Sequence, residues 1–139
     1  MKTGKEIKEK MGELNINSGW IKFNDGDLIH VGFNPDICDK ATIGNNTYIG
    51  NDSIISYKAV VADNVKIGND VYIAPHVEVY SGCKIYSYSI LEIYSKVYAG
   101  AWIGCIKADN AEKIGAIIGP HCCVPAGYVL EAGRIVGDF

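Results

Sequence analysis

Ile43-Gly44-Asn45-Asn46-Thr47-Tyr48 and Ile67-Gly68-Asn69-Asp70-Val71-Tyr72 are two readings of one six-residue pattern. From Val31 to Ala108 that pattern repeats thirteen times, and its first position is aliphatic every time, through Ile37, Ile55, Ile73, Leu91 and Ile103. The fifth position is slim (Ala41, Thr47, Ser53, Ala59, Cys83, Ser89), and glycine recurs at the second (Gly32, Gly44, Gly50, Gly68, Gly104). A period of six fits neither a helix nor an open strand. It fits a short strand, a bend and another short strand, wound as a solenoid. The aliphatic residue of each hexad then points into a narrow core, and the slim one fills the crowded corner. Asn45, Asn46, Asn51, Asp52, Asn64, Asn69 and Asp70 suit the backbone angles that corners demand.

The motif [Ile/Val]-Gly-x-x-[Ser/Thr/Ala/Val]-x resembles the hexapeptide-repeat family of left-handed parallel β-helices. The resemblance implies an all-β fold in which three hexads make one triangular coil, about five coils in this chain, and three chains packed side by side. Handedness is taken from the family, because general chain chirality favours right-handed crossovers. Most members are acyltransferases; γ-class carbonic anhydrases and inactive structural members are minorities. The repeat alone does not choose among them.

The remaining composition narrows the classes further. At 139 residues, with a net charge of −3 and 48% hydrophobic residues, the chain reads as a single soluble domain. Nothing suggests a nucleic-acid partner, and no stretch is long and apolar enough to span a membrane. Met1–Leu14 is rich in Lys and Glu and carries no signal-peptide core. Five scattered cysteines read as reduced thiols of a cytoplasmic protein.

Residues 1–30 are expected to cap the solenoid. Ile7, Met11 and Leu14 fall on one face of a helix over residues 2–14, and Asn24-Asp25-Gly26-Asp27 marks a hairpin turn leading into the repeats. His30, in that hairpin, reads as structural. A β-helix end is a bare strand edge and needs such a cover. The β-helix occupies 31–139. Residues 109–117 break the count, which resumes at Ile118, Val124, Leu130 and Val136; they are expected to form an inserted loop over the cleft. The chain lacks the Gly-Asn-Pro-Ala-like closing turn of the family's sugar and serine acetyltransferases. Lys113-Ile-Gly-Ala-Ile-Ile-Gly is similar to the re-entry segment of sugar-nucleotide acetyltransferases.

With eighteen residues per coil, equivalent corners stack about 4.8 Å apart. Resuming the count at Ile118 then aligns Lys40, Lys58, His76, Tyr94 and His121 on one edge. That edge is the candidate active site. An acyltransferase needs a base for the acceptor's proton, and the imidazole of His76, or of His121, suits it near neutral pH. Tyr94 lies between them, and a corner N–H is expected to stabilise the oxyanion. Lys58, Lys113 and Trp102 are candidate contacts for the phosphates and ring of an acyl carrier, acetyl-CoA or another acyl-CoA. No metal is expected: in Pro75-His76-Val-Glu-Val-Tyr-Ser81-Gly82-Cys83 the second histidine of the γ-carbonic anhydrase pattern is missing. A zinc site shared across subunits and a purely structural β-helix remain the alternatives. Outward Ile54, Tyr72, Tyr86 and Ile90 are assigned to one face, and Tyr48, Tyr80, Tyr98 and Trp102 to another. Such apolar stripes predict a homotrimer acting on a small-molecule acceptor.

Overall fold

A computed structural model describes residues 1–105 and 114–137. The hexads wind into a triangular β-helix of about six coils, whose walls are three sheets of mostly two-residue strands. The first wall stacks Ile37, Ile55, Ile73, Leu91, Ile118 and Val136 in register. The second stacks Ile43, Val61, Val79, Val97 and Val124. The third runs through Val31, Ile49, Ile67, Ile85, Ile103 and Leu130. All pairings along these walls are parallel. Strands Leu28–Val31 and Ile135–Val136 form the two ends of the stack.

These first-position residues are the core, and nearly all are fully buried. Each buried Ile or Leu contributes roughly 1.5–3 kcal/mol. The polar residues in the slim fifth position need hydrogen-bond partners when buried. The Thr47 hydroxyl donates to the Ala62 carbonyl at 2.9 Å, and the Ser53 hydroxyl to the Gly68 carbonyl at 2.8 Å. Between coils, Asn and Asp side chains form ladders. Asn51 Oδ1 accepts from the Phe33 N–H and Asn69 Oδ1 from the Asn51 N–H, each at 2.8 Å.

The N-terminal segment closes the open end in two ways. Lys2–Thr3 pairs antiparallel with Thr42–Ile43, and Gly19–Lys22 pairs antiparallel with Leu28–Val31. A helix, α1, spans Gly4–Leu14; Thr3 caps it in a reciprocal box with Glu6, and left-handed Asn15 ends it. Ile7 is buried and Met11 packs on the core, whereas Leu14 of the expected apolar face is 46% exposed. Leu14 is the last residue of the helix, at its exposed end. The Lys2 ammonium pairs with Asp25 and Lys8 with Asp39, and each lysine holds its carboxyl below the ordinary range by hydrogen bonding.

The excursion from the coil adds nine residues, since Leu91 pairs with Ile118 and Ile103 with Leu130, each 27 residues on. Its placement differs from the expected 109–117. Of that stretch, 109–113 lies outside the described residues. Gly115 already packs against the Tyr88–Ser89 backbone, Ala116 is buried, and Ile117 pairs with Ile90. Coil register therefore resumes at Gly115. Ile118 is only the first aliphatic residue to announce it.

Candidate functional site

The corner joining the first wall to the second carries the two histidines of the repeat region. At each coil the chain turns there through Ala74-Pro75-His76-Val77 and its equivalents. The Val77 N–H reaches the Ala74 carbonyl at 3.4 Å and the Cys122 N–H the Gly119 carbonyl at 3.3 Å. His76, Tyr94 and His121 hold φ of 61°, 60° and 58°, as Lys58 does at 56°. A proline followed by a left-handed residue is the signature of a type II-like turn. Pro75-His76 and Pro120-His121 mark the same turn in two coils, a signal the sequence reading passed over.

These turns bring the three rings into one column. The His76 and Tyr94 rings stack with centroids 4.7 Å apart and planes 7° from parallel. Tyr94 and His121 stack at 5.1 Å and 11°. Tyr57 meets His76 edge-on at 5.8 Å, a neighbour not foreseen from the spacing. Stacking occupies ring faces and leaves the in-plane imidazole nitrogens unused. His76 is half-buried and His121 exposed. The column stands on a convex edge: four of the best-formed clefts among the described residues, of about 180–350 Å³, are lined by neither His76 nor His121.

Three amides of this edge, those of its ring-bearing residues, are not free to act as the expected oxyanion donor. The N–H groups of His76, Tyr94 and His121 donate to the carbonyls of Tyr57, Pro75 and Ile93 in the preceding coil, at 3.0, 3.3 and 3.0 Å. The same stacking that aligns the rings consumes these amides. Lys58 lies one coil from His76, with its ammonium 5.4 Å from the Tyr57 ring centroid. Trp102 sits elsewhere, on the third wall, which is the face opposite the histidine edge. Lys113 lies outside the described residues. Among the described residues no cluster of three or more His, Cys, Asp or Glu side chains is placed to hold a metal ion.

The outward aromatic rows also divide differently from the expected two faces. Ile54, Tyr72 and Ile90 do share the first wall. Tyr86 instead stands beside Trp102 on the third, with ring centroids 6.3 Å apart. Tyr80 and Tyr98 stack at 5.0 Å on the second wall, while Tyr48 belongs to the third. Only an eighteen-residue spacing keeps a face, and Tyr80 is thirty-two residues from Tyr48. The Tyr80 hydroxyl donates to Glu78 at 3.1 Å, which raises the tyrosine's pKa; Glu78 also raises that of Lys96.

A comparison with curated proteins returns no significant match. The family described as bacterial transferase hexapeptide (six repeats) matches residues 40–81. Among solved structures, GDP-perosamine N-acetyltransferase from Caulobacter crescentus superimposes with a TM-score of 0.65 at 20% identity over 78% of this chain. Its complexes with CoA and GDP-perosamine include histidine-to-alanine and histidine-to-asparagine mutants. The asparagine mutant matches at 21% identity over 73% of this chain, TM-score 0.61. This chain spans about half the length of those structures, 44–48% of each. Residues 40–81 thus match the hexapeptide-repeat model, and the three-walled coil shares the β-helix fold of the superimposed structures.

Proposed function

We propose that the chain is an acyltransferase that moves an acetyl or other acyl group from a coenzyme A thioester to a small amine or alcohol. The observation that carries this reading is the His76–Tyr94–His121 column, two imidazoles held parallel on one edge with their nitrogens free of stacking. Support also comes from the fold's likeness to a CoA-binding sugar N-acetyltransferase whose complexes include histidine mutants.

His76 is the general base. Its neutral imidazole takes the proton from the acceptor nitrogen or oxygen as that atom bonds to the acyl carbon. Collapse of the tetrahedral intermediate breaks the carbon–sulfur bond, and the imidazolium returns the proton to the departing thiolate. Atoms and charge balance with no further reactant. The acyl donor supplies an activated thioester carbonyl. Lys58, on the same edge as the base, suits its phosphates; Lys113 is a second candidate. Trp102 faces away from this edge and can meet the donor only from another copy of the chain.

The convex edge has no second wall of its own, so the cleft is completed by a neighbouring chain in a homotrimer. Outward Ile54, Ile90 and the 60%-exposed Ile135 on the adjoining wall fit that packing. All five cysteines are free thiols, as suits the cytoplasm.

Acyl transfer from acetyl-CoA to a panel of amino sugars and small alcohols tests the reading. His76→Ala is expected to lower kcat by about 10²–10⁴-fold and to leave the fold intact. The absence of any acetyl-CoA binding by calorimetry would remove the transferase assignment. A structural reading of the column also has an observation behind it. His30 is likewise stacked on Tyr48, at 4.0 Å, inside the capping sheet. Phenylalanine at 76 and 121 preserves stacking and removes the base, so His76→Phe with undiminished transfer would leave the column a structural ladder.

A further inference from the structure

We infer that the wall opposite the histidine edge carries a diphosphate-binding site built on Lys66 and Lys84. On the outer face of the third wall, one column of side chains reads Trp20, His30, Tyr48, Lys66, Lys84, Trp102 in hydrogen-bonded register. Two lysines thus lie directly opposite each other on adjacent strands, about 4.8 Å apart at the backbone. Like charges so placed destabilise a sheet.

Elsewhere the same geometry is used differently. On the second wall the register pair Glu78–Lys96 is oppositely charged, with the ions 3.5 Å apart. Among the described residues no carboxylate lies within ion-pairing distance of Lys66 or Lys84. Lys84 has only the Trp102 ring, 4.5 Å from its ammonium to the centroid. Folding therefore gains nothing from this pair, and an anion between the ammoniums would resolve it.

The surroundings give that anion a seat. Lys66 and Lys84 line a cleft of about 310 Å³ whose floor is Gly68 and whose other walls are Tyr48, Tyr86 and Ser87. The floor is a consequence of packing, since a Cβ on Gly68 would lie 2.6 Å from the Ser87 nitrogen. Tyr86 is not: it stands in a row otherwise occupied by Gly32, Gly50, Gly68 and Gly104, and it closes the trough. Two lysines on adjacent strands beside one cleft suit two linked phosphates, whose charge can meet both. The flanking tyrosines suit an aromatic ring joined to them. The ligand class is a diphosphate, either free or carried by a nucleoside.

Calorimetric titration of the full chain with inorganic pyrophosphate, ADP, AMP and orthophosphate at low salt tests the site. Pyrophosphate or ADP is expected to bind at least tenfold more tightly than orthophosphate or AMP. Lys66→Gln and Lys84→Gln should each weaken binding at least tenfold without lowering the melting temperature. Lys22→Gln, which removes the same charge from the cap, should not. ADP binding more tightly than pyrophosphate, with the difference lost in Tyr86→Gly, identifies the nucleoside diphosphate; equal affinities identify the free diphosphate. No binding at millimolar concentration, or equal weakening by Lys22→Gln, overturns the site. His76→Ala should leave these affinities unchanged, so the result stands or falls apart from acyl transfer.

Discussion

Two glycines in this solenoid are required for opposite reasons, and alanine separates them. At Gly50 a Cβ would lie 2.4 Å from the Gly68 carbonyl oxygen and 2.6 Å from Asn69 Oδ1 in the next coil. An ordinary contact is about 1 Å longer, and the obstacle is backbone. Opening the coils by that much stretches the Gly50 N–H bond to the Ile67 carbonyl from 2.8 Å to beyond hydrogen-bonding range. It also disturbs the Asn51 N–H bond to Asn69 Oδ1. Two bonds at about 1 kcal/mol each, with an overpacking term of about 1–3 kcal/mol, give roughly 3–5 kcal/mol for Gly50→Ala. At Gly82 the space is open, with the nearest atom 3.9 Å away, but φ is +76°. Gly82→Ala then loses only the left-handed preference, about 1–2 kcal/mol. Gly82→Asn should be nearly neutral, because Asn46 and Asn64 hold φ of 58° and 59° in the same corner column. Urea denaturation followed by circular dichroism measures all three. If Gly50→Ala proved milder than Gly82→Ala, close coil packing would not be what fixes glycine at the second hexad position.

Ile67→Ala, at a mid-stack core position, should destabilise by about 2–5 kcal/mol in the same assay. Two serines in equivalent slim positions should diverge. The Ser89 hydroxyl accepts the Ala116 N–H at 3.1 Å, so Ser89→Ala orphans a buried donor and should cost about 1–3 kcal/mol. The buried Ser95 hydroxyl has no partner among the described residues, so Ser95→Ala should be neutral or stabilising. Acid should loosen the N-terminal cap first. The Asp25 and Asp39 carboxyls have folded pKa values depressed below 3.8 by Lys2 and Lys8, so their contribution is complete above that value. It is lost as pH falls through the depressed values. Hydrogen exchange should show residues 4–14 deprotecting as pH falls below 3.8, before the coil strands do; simultaneous loss would refute it.

The period was legible because a narrow prism admits one large aliphatic side chain per bend, and Val31 through Ile103 obey that rule without a gap. The histidine edge was legible for the same reason: once the coil length is eighteen, alignment is arithmetic. What sequence reading missed depends on interactions that spacing does not encode. Tyr86 was placed on the wrong wall because outward positions on either side of a corner look alike in the string. Re-entry at Gly115 was read as Ile118 because Gly115 and Ala116 carry no aliphatic signal, although the coil above fixes both. The antiparallel Lys2–Thr3 strand is too short to leave a pattern. The occupied amides of His76 and His121 follow from turn hydrogen bonding, which only coordinates display.

Because each rung bonds only to the rungs directly above and below it, length is a free parameter of this architecture. Inserting a whole duplicate coil beyond the cap would lengthen the prism by one strand spacing and leave every existing side chain facing as before. Adding a single residue within a coil would rotate everything downstream off its wall. Variation in such a chain is therefore quantised, and the nine-residue excursion is tolerated because it leaves and rejoins the wall in phase.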